Sequence, residues 1–559
     1  MIEVIFNWIY ILIHCIVTGT IFFAIIYKLT GYIEKSLGMI IMSGIAFLTV
    51  YAQYFSLVYK VGFLANIVLI LIEIVIVCIL QWRIDDNVLW QVVQGSLNDV
   101  LSNRWKAVIV IALFFIYAAN TSGEPIHYDT YLYHAQSIRW IEEYGIVKGL
   151  GNLHNRFAYN SAIFAFQSLF SMAFILGKSL HTMNGFFVWI ATSVAVYNIR
   201  IFEKKRIDLS DALCFMIFFI NYTPDNLSSV QSDTFMENIT VFIILKLIIL
   251  FQEKKDNYVP YAVLSILALF DTTVKLSSAI IVIVALIPLT KLITKKQIFR
   301  IIKWVVLGIV VALPFFIRNI IISGYLVYPF QGLDIFDVWW KMPKSVVERD
   351  AKEIAYWARS LNDTNISMYD NVGIFEWWPH YFLVQNMKYK LLILADIVAF
   401  PFYFIRMFML FKKKSFDVLF CYCIVLGGYL FWFVQAPLPR YGKIWIVLLF
   451  TLPMGEIIKY IVEKGIIKIN GLVGIAIPTL MVIVMLIPVI KCAVFNNNWI
   501  KQADYRILDS VCYQVDGVNI YAPKEGNQSG YHMFPASEKI RTGIYLREPG
   551  DVSKGFGAN

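Results

Sequence analysis

The stretch VIVIALFFIYAANTSGEPIHYDTYLYHAQSIRWIEEYG, residues 108–145, changes character twice. Its apolar part, within a segment spanning 105–121, is nearly long enough to cross a hydrocarbon core of roughly 30 Å. Immediately afterwards EPIHYDTYLYH (124–134) crowds two histidines, two acids and three tyrosines together. From there Tyr131, Ala135, Ile138, Ile141 and Tyr144 recur every three or four residues, with Gln136, Arg139, Glu142 and Glu143 on the other face. This spacing predicts an amphipathic helix lying along the membrane surface and ended by Gly145. A membrane segment opening into a polar, surface-lying helix directs the reading of the whole chain.

Composition points the same way. Hydrophobic residues are 59% of 559 and charged residues 15%, with mean hydropathy +0.67, which excludes an ordinary water-soluble domain. The expected fold is an all-α polytopic membrane protein. About fourteen segments are long enough, or nearly so, to cross, near residues 4–28, 38–59, 61–82, 105–121, 183–201, 211–222, 233–251, 258–273, 276–291, 301–322, 389–411, 416–433, 443–462 and 466–489.

The net charge of +10 sits in short loops: EKKR (203–206), EKK (253–255), TKKQ (294–297) and KKK (412–414). That is the positive-inside pattern rather than a nucleic-acid footprint. It places these loops in the cytoplasm and residues 122–182, 222–232, 323–388 and 435–442 outside, with both termini outside by alternation. The first segment lacks a small-residue cleavage site and reads as an anchor. Cysteines fall mostly in apolar segments, as small core residues do; Cys492 and Cys512, in the external tail, could pair in an oxidising compartment. Long external connections are usually functional. SAIFAFQSLFSMAFIL (161–176) reads as a second interfacial or re-entrant helix, and residues 505–534, with alternation broken by Asp-Gly and Gly-Asn turns, as a partly β appendage.

Ionisable groups at or inside a membrane are costly, so their positions carry information. On this topology His127, Asp129, His134, His154, Arg156, Asp225, Asp233, Glu237, Asp271, Lys275, Arg318, His380 and Arg440 all fall at or near the external face. Asp129 is the first candidate for catalysis. A partly desolvated carboxylate at the start of an interfacial helix gains basicity and can take a proton from an acceptor hydroxyl; the competing role is a cap for the helix beginning at Thr130. Asp233 and Glu237, four apart in QSDTFMENI (231–239), share a helical face and can bind a divalent cation or orient a substrate, although acids are favoured at any helix start. In DTTVKLSS (271–278), Asp271 and Lys275 would form a salt bridge, or Lys275 would face a phosphate. Arg318 and Arg440 end two further segments. Arginine suits bidentate recognition of phosphate, while a lone arginine often snorkels to head groups. Three cations converging from three segments favour an anion site, to which His134, His154 and Arg156 contribute from the first loop.

No Walker A motif, GxGxxG, HExxH or CxxC zinc spacing occurs. The reactive group must therefore arrive with the substrate, as in a lipid-activated sugar. VWW (338–340) and EWW (376–378) could stack on sugar rings or form an interfacial belt.

A membrane helix, an external loop with an Asp, two interfacial helices and a ladder of further membrane helices resemble the GT-C superfamily of integral-membrane glycosyltransferases. More closely, YDTYLYHAQSIRWIEEYGIVKGLGNLHNRFAYNS (128–161), RNIIISGYLVYPF (318–330) and the tail resemble a group of bacterial multi-pass proteins from surface-polysaccharide gene clusters. The resemblance covers roughly residues 105–559. It implies additional N-terminal membrane helices over 1–104, a catalytic module over 105–490 and an external tail over 491–559. By the same resemblance Asp129 matches the catalytic base, Asp233 with Glu237 a second acidic motif that sometimes holds Mg or Mn, and Lys275, Arg318 and Arg440 the lipid-phosphate ligands. The single Asp129, flanked by Tyr128 and Thr130, departs from members with adjacent acids there. The implied partners are a polyprenyl-phosphate-linked sugar, a glycan or lipid-linked acceptor and membrane lipids, and the implied location is the bacterial cytoplasmic membrane with the site facing outward. A polysaccharide polymerase or ligase would share the donor. A lipid-linked saccharide flippase would instead need charged residues near the bilayer midplane and broken helices in matching halves.

Overall fold

Ten helices among the described residues are long and apolar enough to cross a membrane, from Ile2–Thr30 to Pro439–Glu463. The structure is a computed structural model describing residues 1–83, 88–101, 103–201, 207–361, 372–465 and 471–559. The EKKR loop at 203–206 and the start of the segment predicted at 466 lie outside the described residues. Three other predicted segments form shorter helices, Met183–Asn198, Leu209–Ile220 and Val259–Val274.

Burial follows apolar periodicity. Phe63–Arg83 is apolar nearly all round and leaves Leu71, Ile74 and Val75 exposed, as a lipid-facing helix does. Asp233–Gln252 is buried along most of its length by neighbouring helices. After Lys275 the chain runs as a ten-residue 3-10 helix, Leu276–Ala285, before Leu286–Thr294 resumes the α form. Runs of that length are uncommon and often mark functional positions.

The first loop differs from its predicted form. Residues Thr130–His134 are a π turn, and the α-helix covers only Ala135–Tyr144. Its polar face is not laid on a membrane surface but packed beneath the C-terminal tail. Gln136 Nε2 donates to Met533 O at 2.7 Å, and Arg139 Nη1 donates to the carbonyls of Tyr531 and His532 at 2.7 Å each. Sequence spacing alone could not show this, because the covering segment lies almost four hundred residues away. Residues 161–176 form two short helices, the buried Ile163–Leu169 and Ala173–Leu176, which leaves Ile175 and Leu176 exposed. At 1.5 Å per residue neither approaches membrane thickness.

The tail carries two antiparallel hairpins, β1 (Ser510–Val515) with β2 (Val518–Pro523), and β3 (Ile544–Glu548) with β4 (Asp551–Ala558). The first turns at Asp516-Gly517, both at positive φ, as a two-residue hairpin turn requires. Cys492 and Cys512 are free thiols, so the pairing considered for them is absent. The second large loop is tied to the first through Asp350 on the helix Lys344–Ala358, which accepts from Asn155 at 2.7 Å, from Tyr328 at 2.9 Å and from Tyr159.

Polar groups also occur within the spans. His14 and Glu73 pair at 2.7 Å, Arg406 and Glu456 at 2.9 Å, and Asp396 is buried without a hydrogen-bond partner. The expectation that polar side chains gather only at one face is therefore too narrow.

Candidate functional site

The π turn organises the site. Its closing bond runs from Ala135 N to Thr130 O, an i→i+5 repeat. That repeat carries His134 back over the preceding residues, where an α-helix would separate it from Asp129. The imidazoles of His127 and His134 stack with centroids 6.4 Å apart. His134 Nδ1 donates to Val230 O at 2.7 Å, which leaves its Nε2 with the lone pair. Burial holds His127 down to about 4 and His134 to about 3, so both are neutral near pH 7.

Asp129 does not cap the turn. No side-chain capping bond is present, and its own backbone is already helical. Its Oδ2 instead accepts from Arg440 Nη2 at 2.7 Å. Burial pushes the Asp129 carboxyl up, but Arg440, with His134, His127 and Arg156, holds it down to about 2. The expectation that desolvation leaves Asp129 with raised basicity is thus reversed, because Arg440 and the neighbouring His134, His127 and Arg156 together outweigh burial.

Arg440 is placed by the start of the helix Pro439–Glu463, with proline at the position where its missing N–H costs nothing. Trp432 Nε1 donates to Leu438 O at 2.8 Å. A Cβ on Gly442 would lie 2.3 Å from the Trp432 ring, so only glycine lets this helix start seat so closely. Arg440 Nε is buried with no hydrogen-bond acceptor, 3.9 Å from Asp233 Oδ2. Asp233 opens the helix Asp233–Gln252 and pairs with Lys275, which caps the preceding helix Val259–Val274. One turn deeper, Glu237 Oε2 lies 2.6 Å from Lys443 Nζ. Lys275 also sits over the Tyr441 ring, 4.7 Å from its centroid.

Several expectations are corrected. Lys275 pairs with Asp233 rather than with Asp271, whose carboxylate is buried deeper and accepts from Thr240 at 2.7 Å. Asp233 and Glu237 each hold their own lysine instead of sharing a cation, and among the described residues no group of three or more His, Cys, Asp or Glu side chains could hold a metal ion. The donor set therefore does not fit Mg or Mn in this arrangement. His154 stays outside the cluster: it is fully buried, its Nε2 meets Leu132 O at 3.3 Å, and its Nδ1 lies 3.8 Å from Glu538 of the tail. Arg318 is also elsewhere, bonded to Asn160, Ser56 and Gly145. Asp225 and His380 are exposed.

Arg156 remains within electrostatic reach of Asp129, and Tyr133, Asp350, Tyr159 and Tyr441 act on it in turn. Lys443 and Lys388 were not anticipated. Lys443 stands three residues after Arg440, a spacing that shares a helix face, and the sequence carried that signal. Lys388, over the Tyr222 ring at 4.6 Å, left none.

The cluster thus sets five cations, Arg156, Lys275, Lys388, Arg440 and Lys443, against four carboxylates, Asp129, Asp233, Glu237 and, beside Arg156, Asp350. Two helix N-termini, at Asp233 and Pro439, add partial positive charge. With neutral imidazoles the balance is positive, which suits a phosphate-bearing ligand. A neutral His134 Nε2 and an ionised Asp129 both supply proton acceptors beside it. No curated protein and no solved structure matches the chain. Residues 1–447 match the family described as "Domain of unknown function (DUF8201)", and the chain belongs to that family.

Proposed function

We propose that this protein is a membrane glycosyltransferase that moves a sugar from a polyprenyl-phosphate carrier to a hydroxyl acceptor in surface polysaccharide or glycoconjugate assembly. The observation that carries the reading is the Asp129–Arg440–Asp233–Lys275 lattice, in which a proton acceptor shares its cation with an anion-ready site. The site faces the outside of a bacterial cytoplasmic membrane, and the bundle crosses it about fourteen times.

The chemistry follows from the shared cation. In the free enzyme Arg440 holds Asp129 as a weak base near 2. A lipid phosphate entering beside Arg440 Nε and Lys275 competes for the guanidinium, and Asp129 becomes more basic as Arg440 turns to the phosphate. The acceptor oxygen then attacks the anomeric carbon and gives its proton to Asp129. The bond between that carbon and the phosphate oxygen breaks, and its electron pair leaves with the phosphate, stabilised by Arg440, Lys275 and Arg156. Substrate binding thereby switches on the base.

The test is Asp129→Asn in membranes supplied with lipid-linked saccharides extracted from the same bacterium. Loss of carrier-phosphate release with normal membrane insertion supports the reading; near-normal release in Asp129→Asn ends it.

A flippase is the second reading, favoured by the His14–Glu73 pair within the spans, to which Thr18 also donates at 2.7 Å. Sealed vesicles separate the two, since transport moves the lipid-linked sugar without cleaving it.

A further inference from the structure

Away from the Asp129 cluster, a small pocket opens beside Arg318, between the helices Ala135–Tyr144 and Ile298–Ser323. Arg318 is 3% exposed. Its Nε donates to Asn160 Oδ1 at 3.1 Å, and its Nη1 donates to Ser56 Oγ and, at 3.3 Å, to Gly145 O. All three acceptors are neutral. Among the described residues no carboxylate pairs with this guanidinium.

A buried charge without a counter-ion costs several kcal/mol, because desolvation is not returned by Coulomb attraction. Trp140 lines the same pocket, and its indole N–H is buried without an acceptor. A guanidinium with no carboxylate partner and an unanswered indole N–H around one cavity call for an oxyanion. The rest of the wall, including Ile146 and Ile322, is apolar. The chain beside the pocket, Val58 and Tyr59, is exposed at the end of a membrane helix.

We propose that this pocket is a second anion site that takes an amphiphile headed by a carboxylate or a phosphate, with Arg318 on the head group and the hydrocarbon along Ile146 and Ile322. The site rests on the membrane reading alone and not on transferase chemistry. It shares no hydrogen bond or ion pair with Asp129 or Arg440.

The experiment is native mass spectrometry of the purified full chain in neutral detergent. Four probes are compared: oleate, dioleoyl phosphatidic acid, dioleoyl phosphatidylcholine and inorganic phosphate. Wild type retains one copy of oleate or phosphatidic acid, and the choice between them identifies the head group. Phosphatidylcholine and inorganic phosphate are retained at least tenfold less. Arg318→Gln reduces retention at least tenfold. Ser137→Phe fills the pocket but keeps the cation, and it reduces retention equally, so the test stands even where Arg318→Gln fails to fold. Asp129→Asn retains the amphiphile as wild type does. Retention within twofold of wild type in Ser137→Phe, equal retention of free phosphate or of phosphatidylcholine, or loss in Asp129→Asn overturns the proposal.

Discussion

Replacing Arg440 by Gln removes the guanidinium that contacts Asp129 at 2.7 Å and leaves that carboxyl buried. Asp129 sits at about 2 in place of its ordinary 3.8. The difference corresponds to about 2.5 kcal/mol in favour of the ionised form. Burial acts in the opposite direction and is the larger single influence, so the loss of Arg440 allows it to prevail. The Asp129 carboxyl in Arg440→Gln is therefore expected to titrate above its ordinary value, a change of more than about 2.5 kcal/mol. The sign for stability follows. A carboxylate held low stabilises the fold above its unfolded value and loses that contribution as pH falls from 3.8 towards 2. Arg440→Gln forfeits it at neutral pH as well. An infrared pH titration reads the protonated-carboxyl band, assigned by its absence in Asp129→Asn. In wild type the band emerges only near pH 2, and in Arg440→Gln its midpoint lies above about pH 4. The same midpoint in both proteins refutes the claim that Arg440 controls this carboxyl.

Lys443→Met strands Glu237, which is 1% exposed, without its counter-ion. The expected cost is about 3–5 kcal/mol, read as a lower thermal midpoint that Lys443→Met/Glu237→Gln largely restores; no recovery in the double variant contradicts the pairing. Gly145→Ala places a Cβ 2.5 Å from Tyr59 O and 2.6 Å from Ser56 O at φ +74, and is expected to cost about 1–3 kcal/mol in the same melt. Gly177→Ala, also at positive φ but in open space, costs less. Burial holds His154 down to about 4 against its ordinary 6.5. Between those values the unfolded chain binds a proton that the folded chain does not, so stability falls as pH falls, by about 2 kcal/mol at pH 5. His154→Gln should flatten the thermal midpoint's pH dependence between pH 7 and 5, and an unchanged slope refutes this account.

The membrane helices were legible because apolar runs of that length have few other uses, and Asp516-Gly517 announced its hairpin through the backbone both residues must adopt. The polar cluster was legible in part. Asp129, Asp233, Lys275 and Arg440 stand at helix ends that alternation brings to one side of the bundle. Their pairing was not legible: it follows from which helix ends adjoin, and that is set by packing between segments up to about three hundred residues apart in sequence, as for Asp129 with Arg440. The π turn was hidden for a different reason. The apolar spacing from Tyr131 to Tyr144 fits an ordinary helix, and one additional residue per turn leaves no compositional mark. Arg318 and His154 were grouped with the site because they share its side of the membrane. Side alone does not specify position, and both are engaged by local partners, Asn160 and Gly145 for one and Leu132 for the other.

The most direct measurement is an experimental structure of the protein with a polyprenyl phosphate analogue bound. The account predicts the phosphate within hydrogen-bond distance of Arg440 and Lys275, with Arg440 drawn away from Asp129 and the Asp129 carboxylate open towards the acceptor. A phosphate seated away from Asp129, Lys275 and Arg440, with the Asp129–Arg440 pair intact, would contradict it.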